Sequence, residues 1–394
     1  MKLSPYEIKV LKDEVQQRFG KELISSYECV HLSEHIHKTT GKYISSQTIR
    51  RFFGFINDGT NPSSYTIAIL LNYCNIDSVE ELRLQESRYR TKQNLPDAIS
   101  LIKEFYNISL TPETDFNFQK SCGNVARQIL SNPVLMNELS GYLCKNPVSQ
   151  IYFFERHPYI DGLASGYTKH IKSYITEKNT TEARLFGNCL IHLGLFLSRK
   201  YVEAGKILEK INAIGIQHTI HPFVQARLIM ANLLNAKTTN DTDKLSHWTK
   251  IAFREEKRQK RYPVEEAYFP FFQFILADAF NLVGKFDEVL EMIHIASTDY
   301  KKVDNSPIED GYYTALSLMH AKALFHSGNI PACKKLLEKV DHLELIFTSK
   351  KYFLIQRLLL ELHMAKPQSS KKRQSLHKEL NKIVKETGFT YFSA

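Results

Sequence analysis

The sequence predicts an all-α protein, in which a bundle of short helices at the N-terminus precedes a long stack of helical hairpins. Three observations lead to this fold class. The 394 residues include only 16 glycines and 13 prolines, fewer than a many-stranded fold uses in its turns. Apolar residues recur at intervals of three and four, which is the spacing of one helix face. Segments with a turn followed by a helix also recur in the C-terminal half.

The length predicts two or three domains, because single domains usually run to roughly 100 to 200 residues. We divide the chain into 1–90, the N-terminal bundle; 91–180, a linker with helices that cap or extend the stack; and 181–394, the repeats. The polar segment 88–97, which contains Pro96, marks the linker.

Charge and cysteine content restrict the partners and the compartment. The chain has 52 Lys and Arg against 42 Asp and Glu, a net charge of +10, which favours polyanionic partners. The six cysteines form no C-x-x-C pair and are expected to be buried thiols in a reducing compartment. The N-terminus lacks a secretory signal, and no segment has 18 consecutive apolar residues, so we expect a cytoplasmic protein without a membrane partner.

The N-terminal helices are predicted from their caps and their spacing. Ser4 caps a helix with Pro5 at its first position, and a second helix covers 27–38. A third begins at Ser45 and Ser46, buries Ile49, Phe52 and Phe53, and ends at Gly54. A fourth begins at 63–64, and a fifth covers 79–86. The third helix then points Ser46, Gln47, Arg50 and Arg51 away from the core, and both guanidinium groups are expected to lie clear of the protein body.

Two short helices joined by a glycine-containing turn, the second with an outward polar face, are typical of DNA-binding helix-turn-helix units. The segments LSEHIHKTTGKYISSQTIRRFFG and NPSSYTIAILLNYCNI resemble the helix-turn-helix domain of Cro and phage-repressor type regulators. They are still more similar to an uncharacterised N-terminal domain common in Bacteroidota proteins. The resemblance covers about a fifth of the chain and implies a bacterial protein that binds duplex DNA.

The resemblance assigns roles to six residues. Gln47 and Arg50 become candidates for base contacts, since an amide can bond to adenine and a guanidinium to guanine. Four further residues are candidates for phosphate contacts: Lys42, Ser46, Thr48 and Arg51. Residues 1–90 carry a net charge of only +1, with 12 basic and 11 acidic side chains. The alternative is therefore a solvated helix face in a domain that docks other proteins.

The C-terminal repeats are aligned on Tyr201, Leu245, Phe286 and Ile330, which are 44, 41 and 44 residues apart. A single helical hairpin cannot bury its apolar face, so neighbours are expected to stack into an arc with a concave surface. The segments GKFDEVLEM and GNIPACKKLL resemble the turn of tetratricopeptide repeats, although the period exceeds the usual 34 residues. The resemblance implies an α-solenoid of tetratricopeptide-like hairpins.

An amide side chain lies thirteen residues before three of the aligned positions: Asn188, Asn232 and Gln273. Stacked amides can donate to and accept from the backbone of an extended peptide, which makes them candidates for contact with a peptide or protein partner. The alternative is an ordinary core or surface position. A helix-turn-helix followed by such repeats also resembles, in layout, the peptide-pheromone-responsive regulators of Gram-positive bacteria.

No catalytic motif was found, and neither a cofactor nor a metal is expected. His31 and His35 lie four residues apart on one helix but lack a third ligand at the usual spacing. We therefore expect a cytoplasmic bacterial transcription regulator whose repeats dimerise or sense a peptide or protein signal. A homodimer is expected because a single helix-turn-helix reads few bases. The alternative is a non-enzymatic interaction adaptor that does not bind DNA.

Overall fold

Helices make up all the regular secondary structure in the residues that the computed structural model describes, which are 3–58, 61–76, 95–110, 112–217, 219–259, 269–299, 310–341, 344–365 and 370–393. The predicted all-α class is confirmed for this part of the chain. Contacts between residues divide the chain into two compact units, Met1–Leu101 (unit 1) and Ile102–Ala394 (unit 2). The boundary predicted at residue 90 lies in 77–94, outside the described residues.

Unit 1 contains the four predicted N-terminal helices: α1 (Pro5–Phe19), α2 (Glu28–Thr40), α3 (Ser46–Phe53) and α4 (Ser64–Tyr73). Residues 95–106 form α5, and the division between the two units falls within this helix. The helix predicted at 79–86 and most of the predicted linker lie outside the described residues.

Serine caps and glycine stops set the ends of these helices. The hydroxyls of Ser4, Ser45 and Ser63 accept hydrogen bonds from the backbone N–H three residues later, at 3.1, 3.2 and 3.1 Å. These bonds satisfy donors that the first helical turn leaves unpaired. α2 and α3 end at Gly41 and Gly54, whose positive φ angles disfavour any residue with a Cβ. The capping serine and the terminating glycine from which α3 was predicted therefore set its two ends.

One apolar core joins the helices of unit 1. α2 contacts both α3 and α4, and α1 contacts α4. The fully buried side chains at the centre of these contacts include Leu11, Leu32, Ile36, Ile49, Ile67 and Leu70. Burial of these side chains, rather than the propensity of such short helices, stabilises the bundle.

Unit 2 begins with α6 (Pro112–Ser131), α7 (Pro133–Lys145) and α8 (Pro147–Ser149), the last leading into a π-helical turn, Gln150–Glu155. A 3-10 turn, Ile160–Gly162, precedes α9 (Thr168–Lys178). The following helices form consecutive pairs: α10 (Thr181–Leu197), α11 (Tyr201–Ile214), α12 (Pro222–Thr238), α13 (Thr242–Gln259), α14 (Phe271–Val283), α15 (Phe286–Asp299), α16 (Asp310–His326), α17 (Ile330–Leu337), α18 (Lys350–Met364) and α19 (Ser370–Thr387).

In four of these pairs the second helix begins at or close to the residue on which the repeats are aligned. Tyr201, Phe286 and Ile330 are the first residues of α11, α15 and α17, whereas α13 begins at Thr242, three residues before Leu245. The first helices form a continuous row, because α10, α12, α14, α16 and α18 each contact the next. This row carries about half of the buried residues of unit 2, including 13 of the 17 residues of α12 and 12 of the 13 residues of α14.

Two segments far apart in sequence pack on this row. In the Ile160–Gly162 turn, the carboxylate of Asp161 accepts hydrogen bonds from the backbone N–H groups of Lys351 and Tyr352, at 2.8 and 2.9 Å. Asp161 therefore caps the N-terminus of α18 from a position 190 residues earlier in the chain, where a carboxylate is favoured.

The C-terminal 3-10 turn, Thr390–Phe392, lies against α10. The ring of Tyr391 packs on that of Phe196 with centroids 4.7 Å apart, and its hydroxyl donates to the Leu282 carbonyl at 2.9 Å. Phe389 and Phe392 are buried beside Tyr352. The last residues of the chain thus complete the apolar packing of unit 2.

Candidate nucleic-acid interface

The polar side of α3 is the feature of unit 1 that the sequence assigns to DNA. Ile49 and Phe52 are buried, which turns Gln47 and Arg51 outward as exposed side chains. Ser46, Thr48 and Arg50 are half-buried at the edge of this face. The predicted orientation of the helix is therefore reproduced, with Gln47 protruding from its first turn.

Arg50 is anchored to its own domain rather than held clear of it. Its Nε donates to the backbone carbonyl of Ser26, in the loop between α1 and α2, at 3.1 Å. Within the described residues, its terminal Nη nitrogens have no hydrogen-bond partner. One edge of the guanidinium group is fixed by the protein, and the outer Nη atoms keep their donors.

Arg51 is held by an ion pair, which is a stronger contact than the single hydrogen bond of Arg50. Its Nε lies 2.5 Å from Oδ2 of Asp58, which follows α3 in the next loop, and both side chains are about one third exposed, at 39% and 33%. The expectation that both guanidinium groups lie clear of the protein body is wrong for Arg50 and Arg51, because the loop between α1 and α2 and the loop after α3 supply acceptors. Asp58 also neutralises locally the positive charge predicted to hold a phosphate.

The turn between α2 and α3 places Lys42 at the surface. The Lys42 backbone N–H donates to the Thr40 hydroxyl at 3.2 Å, and the Ser33 hydroxyl donates to the Ile44 carbonyl, so both ends of the turn are tied to α2. The side chains of Lys42 and Tyr43 are exposed. An ordered, exposed lysine beside the N-terminus of α3 is suited to a phosphate contact.

The start of α4 repeats the start of α3. Both helices begin Ser-Ser-x-Thr-Ile, at 45–49 and 63–67, and in both the first serine hydroxyl lies 2.9 Å from the threonine hydroxyl. The variable residue is outward in both: Gln47 in α3 and Tyr65, which is 64% exposed, in α4. Tyr65 was not predicted from the sequence, although the repeated pentapeptide is a signal for its outward position.

The histidines of α2 do not converge on a metal site. Nδ1 of His35 lies 2.7 Å from the Tyr73 hydroxyl, and the ring packs edge-on against Phe19. His31 lies beside Tyr27 and Glu34 instead. Across the described residues, no group of three or more His, Cys, Asp or Glu side chains is placed to hold a metal ion.

The three amides predicted in unit 2 do not form an exposed ladder. Asn232 is buried, and its amide exchanges two hydrogen bonds with Asn212 of α11, at 2.9 and 3.1 Å. Gln273 is also buried, and Asn188 is half-buried. Asn232 therefore joins the first helix of its hairpin to the second helix of the preceding one, and its donors and acceptor are already used.

Among the helices that the structure describes, none is both long enough and apolar enough to cross a bilayer. The chain matches no known protein-family model, no curated protein and no solved structure.

Proposed function

We propose that unit 1 binds duplex DNA through α3 and that the protein is a cytoplasmic bacterial transcription regulator. The observation that carries the proposal is the anchoring of Arg50 by the Ser26 carbonyl. A guanidinium group fixed at Nε has already lost much of its rotamer freedom, so it can contact a base edge at a smaller entropic cost. The Nη donors that remain suit the O6 and N7 atoms of guanine.

The neighbouring residues complete this interface. Gln47 is exposed one turn before Arg50 and would meet an adjacent base, with adenine as the matching partner. Lys42, Ser46, Thr48 and Arg51 would contact phosphates, and Tyr65 at the start of α4 is a further candidate. Arg51 can reach a phosphate only by exchanging or sharing its ion pair with Asp58.

Unit 2 is proposed to be an α-solenoid of tetratricopeptide-like hairpins that dimerises or receives a peptide or protein signal. The continuous row of first helices supports this proposal, because such rows are how repeat proteins bury their apolar faces. A dimer would place two α3 helices on one duplex, which a specific operator requires.

The test begins by selecting bound sequences from a randomised duplex library with the full chain. Mobility shifts of a selected duplex are then measured at two salt concentrations. Arg50→Ala is expected to weaken binding about 10- to 100-fold and to relax specificity at one base pair. Lys42→Ala should weaken binding to all sequences and lower the salt dependence by about one ion.

Lys9→Ala provides the matched control, since Lys9 is an exposed lysine on α1 and outside the α2 to α3 segment. It should leave binding nearly unchanged. Absence of any salt-sensitive binding by the wild-type chain would refute the proposal.

A protein-docking adaptor is the second candidate, favoured by the apolar surface of unit 1. Ile24, Tyr27, Tyr43 and Tyr65 are each more than 60% exposed, and large aromatic residues are enriched at protein interfaces. Affinity capture of a defined partner that survives Arg50→Ala but is lost with Tyr43→Ser would favour this function over DNA binding.

A further inference from the structure

A small, partly open cavity lies inside unit 2, between the first helices of successive hairpins. Its walls include Arg227 of α12, Asp278 of α14 and Tyr352 of α18. The volume is about 40 Å³, which is room for about three water molecules. The cavity therefore combines opposite charges with a confined space.

Arg227 is the unusual member of this cavity. The side chain is only 8% exposed, and its guanidinium carbon lies 4.6 Å from the ring centre of Phe223 and 5.7 Å from that of Phe186. It forms no hydrogen bond with any described residue, and its Nε is fully buried. Burial lowers the pKa of Arg227 to about 10, so the group stays charged at neutral pH.

Two aromatic faces do not satisfy a guanidinium group. They offset part of its charge, but five N–H donors still require acceptors. A buried cation without acceptors is strongly unfavourable, and such groups are normally paired. Arg227 therefore indicates that an acceptor from outside the chain belongs in the cavity.

Asp278 does not supply this acceptor. Both of its carboxylate oxygens accept from the Tyr352 hydroxyl, at 2.8 and 2.9 Å, and Gln356 Nε2 lies 3.4 Å from one of them. Two nearby cations stabilise its charged form: Lys322, whose Nζ is 3.4 Å from Gln356 Oε1, and Arg227, which forms no hydrogen bond with the carboxylate.

The net charge of the side chains around the cavity indicates the charge of the ligand. Lys322 and Arg227 together with the one carboxylate of Asp278 leave one net positive charge at the cavity. A monoanion matches that charge, whereas Asp278 would repel a phosphate dianion. Leu193, Met230 and Phe274 add apolar walls that suit a short hydrocarbon group.

We infer that this cavity binds a carboxylate group with a short apolar tail, held by Arg227. The carboxylate has two sources with the same chemistry: a small free carboxylic acid, or the C-terminus of a peptide whose last side chain is small. A guanidinium group pairs with either through two parallel hydrogen bonds. The inference concerns unit 2 alone and stands whether or not unit 1 binds DNA.

Titration calorimetry on the full chain at pH 7 and constant ionic strength tests this site. One arm compares sodium propionate with propionamide, and the other compares the peptide Gly-Gly-Ala with its C-terminal amide. At least one of the two acids is expected to bind, and neither amide should. The acid that binds identifies the source of the carboxylate.

Arg227→Met is the decisive variant, because it keeps the length and apolar stem of the side chain but removes the donors. It should weaken acid binding by at least about 30-fold. Arg227→Lys, which retains the charge without the paired donors, should bind with intermediate affinity. Arg184→Met is the matched control, since Arg184 is exposed on α10, and it should bind as the wild type does.

Circular dichroism establishes that each variant is folded before its titration is compared. Failure of both acids to bind the wild-type chain would overturn the inference. So would equal binding of an acid to the wild type and to a folded Arg227→Met variant, or equal binding of an acid and its amide.

Discussion

The arginines of the two units occupy opposite environments. On α3 of unit 1, Arg50 donates to the Ser26 carbonyl and Arg51 pairs with Asp58, both at a surface that water also reaches. In unit 2, Arg227 is buried against two phenylalanine rings without a hydrogen bond to any described residue. The surface cations are satisfied and available for exchange, whereas the interior cation requires a partner that the described chain does not provide.

This difference separates two ways in which a protein can use a cation. A surface arginine with an acceptor in its own domain is oriented at little energetic cost, because water and salt screen the remaining charge of its guanidinium group. An interior arginine is screened far less by water and salt, so donors without acceptors lower the stability of the fold until a ligand binds. Substitutions at the two kinds of site should therefore change stability in opposite directions.

The largest effect on stability is expected for substitution of Asp278, the buried carboxylate of unit 2. Asp278→Ala leaves the Tyr352 hydroxyl and the Lys322 charge without their acceptor, and should lower the free energy of unfolding by about 3 kcal/mol. Urea unfolding followed by the fluorescence of Trp248 measures this loss. Trp248 is the only tryptophan of the chain and lies in unit 2, so its signal reports on that unit.

Asp278→Asn retains one acceptor oxygen and serves as the control for that measurement. It should lose less stability than Asp278→Ala. Equal losses for the two variants would mean that the hydrogen bond from Tyr352 contributes nothing.

A buried histidine should make unit 2 sensitive to acid. His192 is 1% exposed, neither ring nitrogen has a partner among the described residues, and burial lowers its pKa from 6.5 to about 4. Between these pH values only the unfolded chain binds the proton, so acid favours unfolding. His192→Leu should therefore stabilise unit 2 more at pH 5 than at pH 8, by about 2 kcal/mol.

Other titrating groups are present in both chains and cancel in this difference, including Asp278, whose pKa burial raises to about 6 and whose effect has the opposite sign. Trp248 fluorescence in urea at the two pH values gives the comparison. A stabilisation that is the same at pH 5 and pH 8 would show that His192 titrates normally in the folded chain.

The direct comparison of the two environments replaces one arginine of each kind by methionine. Arg227→Met should raise the free energy of unfolding of unit 2 by about 1 to 2 kcal/mol in ligand-free buffer, because it removes unmet donors and keeps the apolar stem. Arg51→Met should lower the free energy of unfolding of unit 1 by less than about 1 kcal/mol, which is the usual contribution of an exposed ion pair.

Trp248 fluorescence measures the effect on unit 2, and hydrogen exchange of the α3 amides measures the effect on unit 1. Destabilisation by Arg227→Met in buffer free of carboxylates would contradict the contrast between the two regions.

The smallest effect concerns the ion pair beside the proposed DNA interface. Asp58→Asn removes the charge that neutralises Arg51 and should raise affinity for a selected duplex about two- to fivefold, more at low salt than at high salt. Mobility shifts at two salt concentrations measure the change. Arg51→Ala should eliminate the gain when it is combined with Asp58→Asn, and a gain that persists would place the effect elsewhere.

Local signals explain why much of the fold was predictable. α3 begins after Ser45 and ends at Gly54 because a capping hydroxyl and a left-handed glycine act on their own neighbours. The predicted starts of α11, α15 and α17 follow from similar turn signals. α13 begins three residues before the aligned Leu245 because its start is set by Asp241, whose carboxylate accepts from the Lys244 N–H at 2.9 Å.

The contacts of the functional side chains depend on residues far away in sequence. The acceptor for Arg50 is Ser26, 24 residues earlier, and no periodicity in α3 indicates it. Asn232 has the spacing of a ligand contact, but Asn212 on α11 of the preceding hairpin uses its amide. Arg227 lies in a largely apolar helix, and the other charged residue that lines its cavity, Asp278, comes from the next hairpin. Such sites require the tertiary structure.

The packing of Phe389, Tyr391 and Phe392 on earlier parts of unit 2 has a consequence for folding during protein synthesis. The ribosome makes α10 almost 200 residues before it makes the segment that covers Phe196. Unit 2 therefore cannot complete its folding before residues 389–392 have left the ribosome, and a molecule cleaved between α19 and these residues would expose the ring of Phe196 to chaperones and proteases. The core of unit 2 thus depends on a segment that is synthesised long after the surface on which it packs.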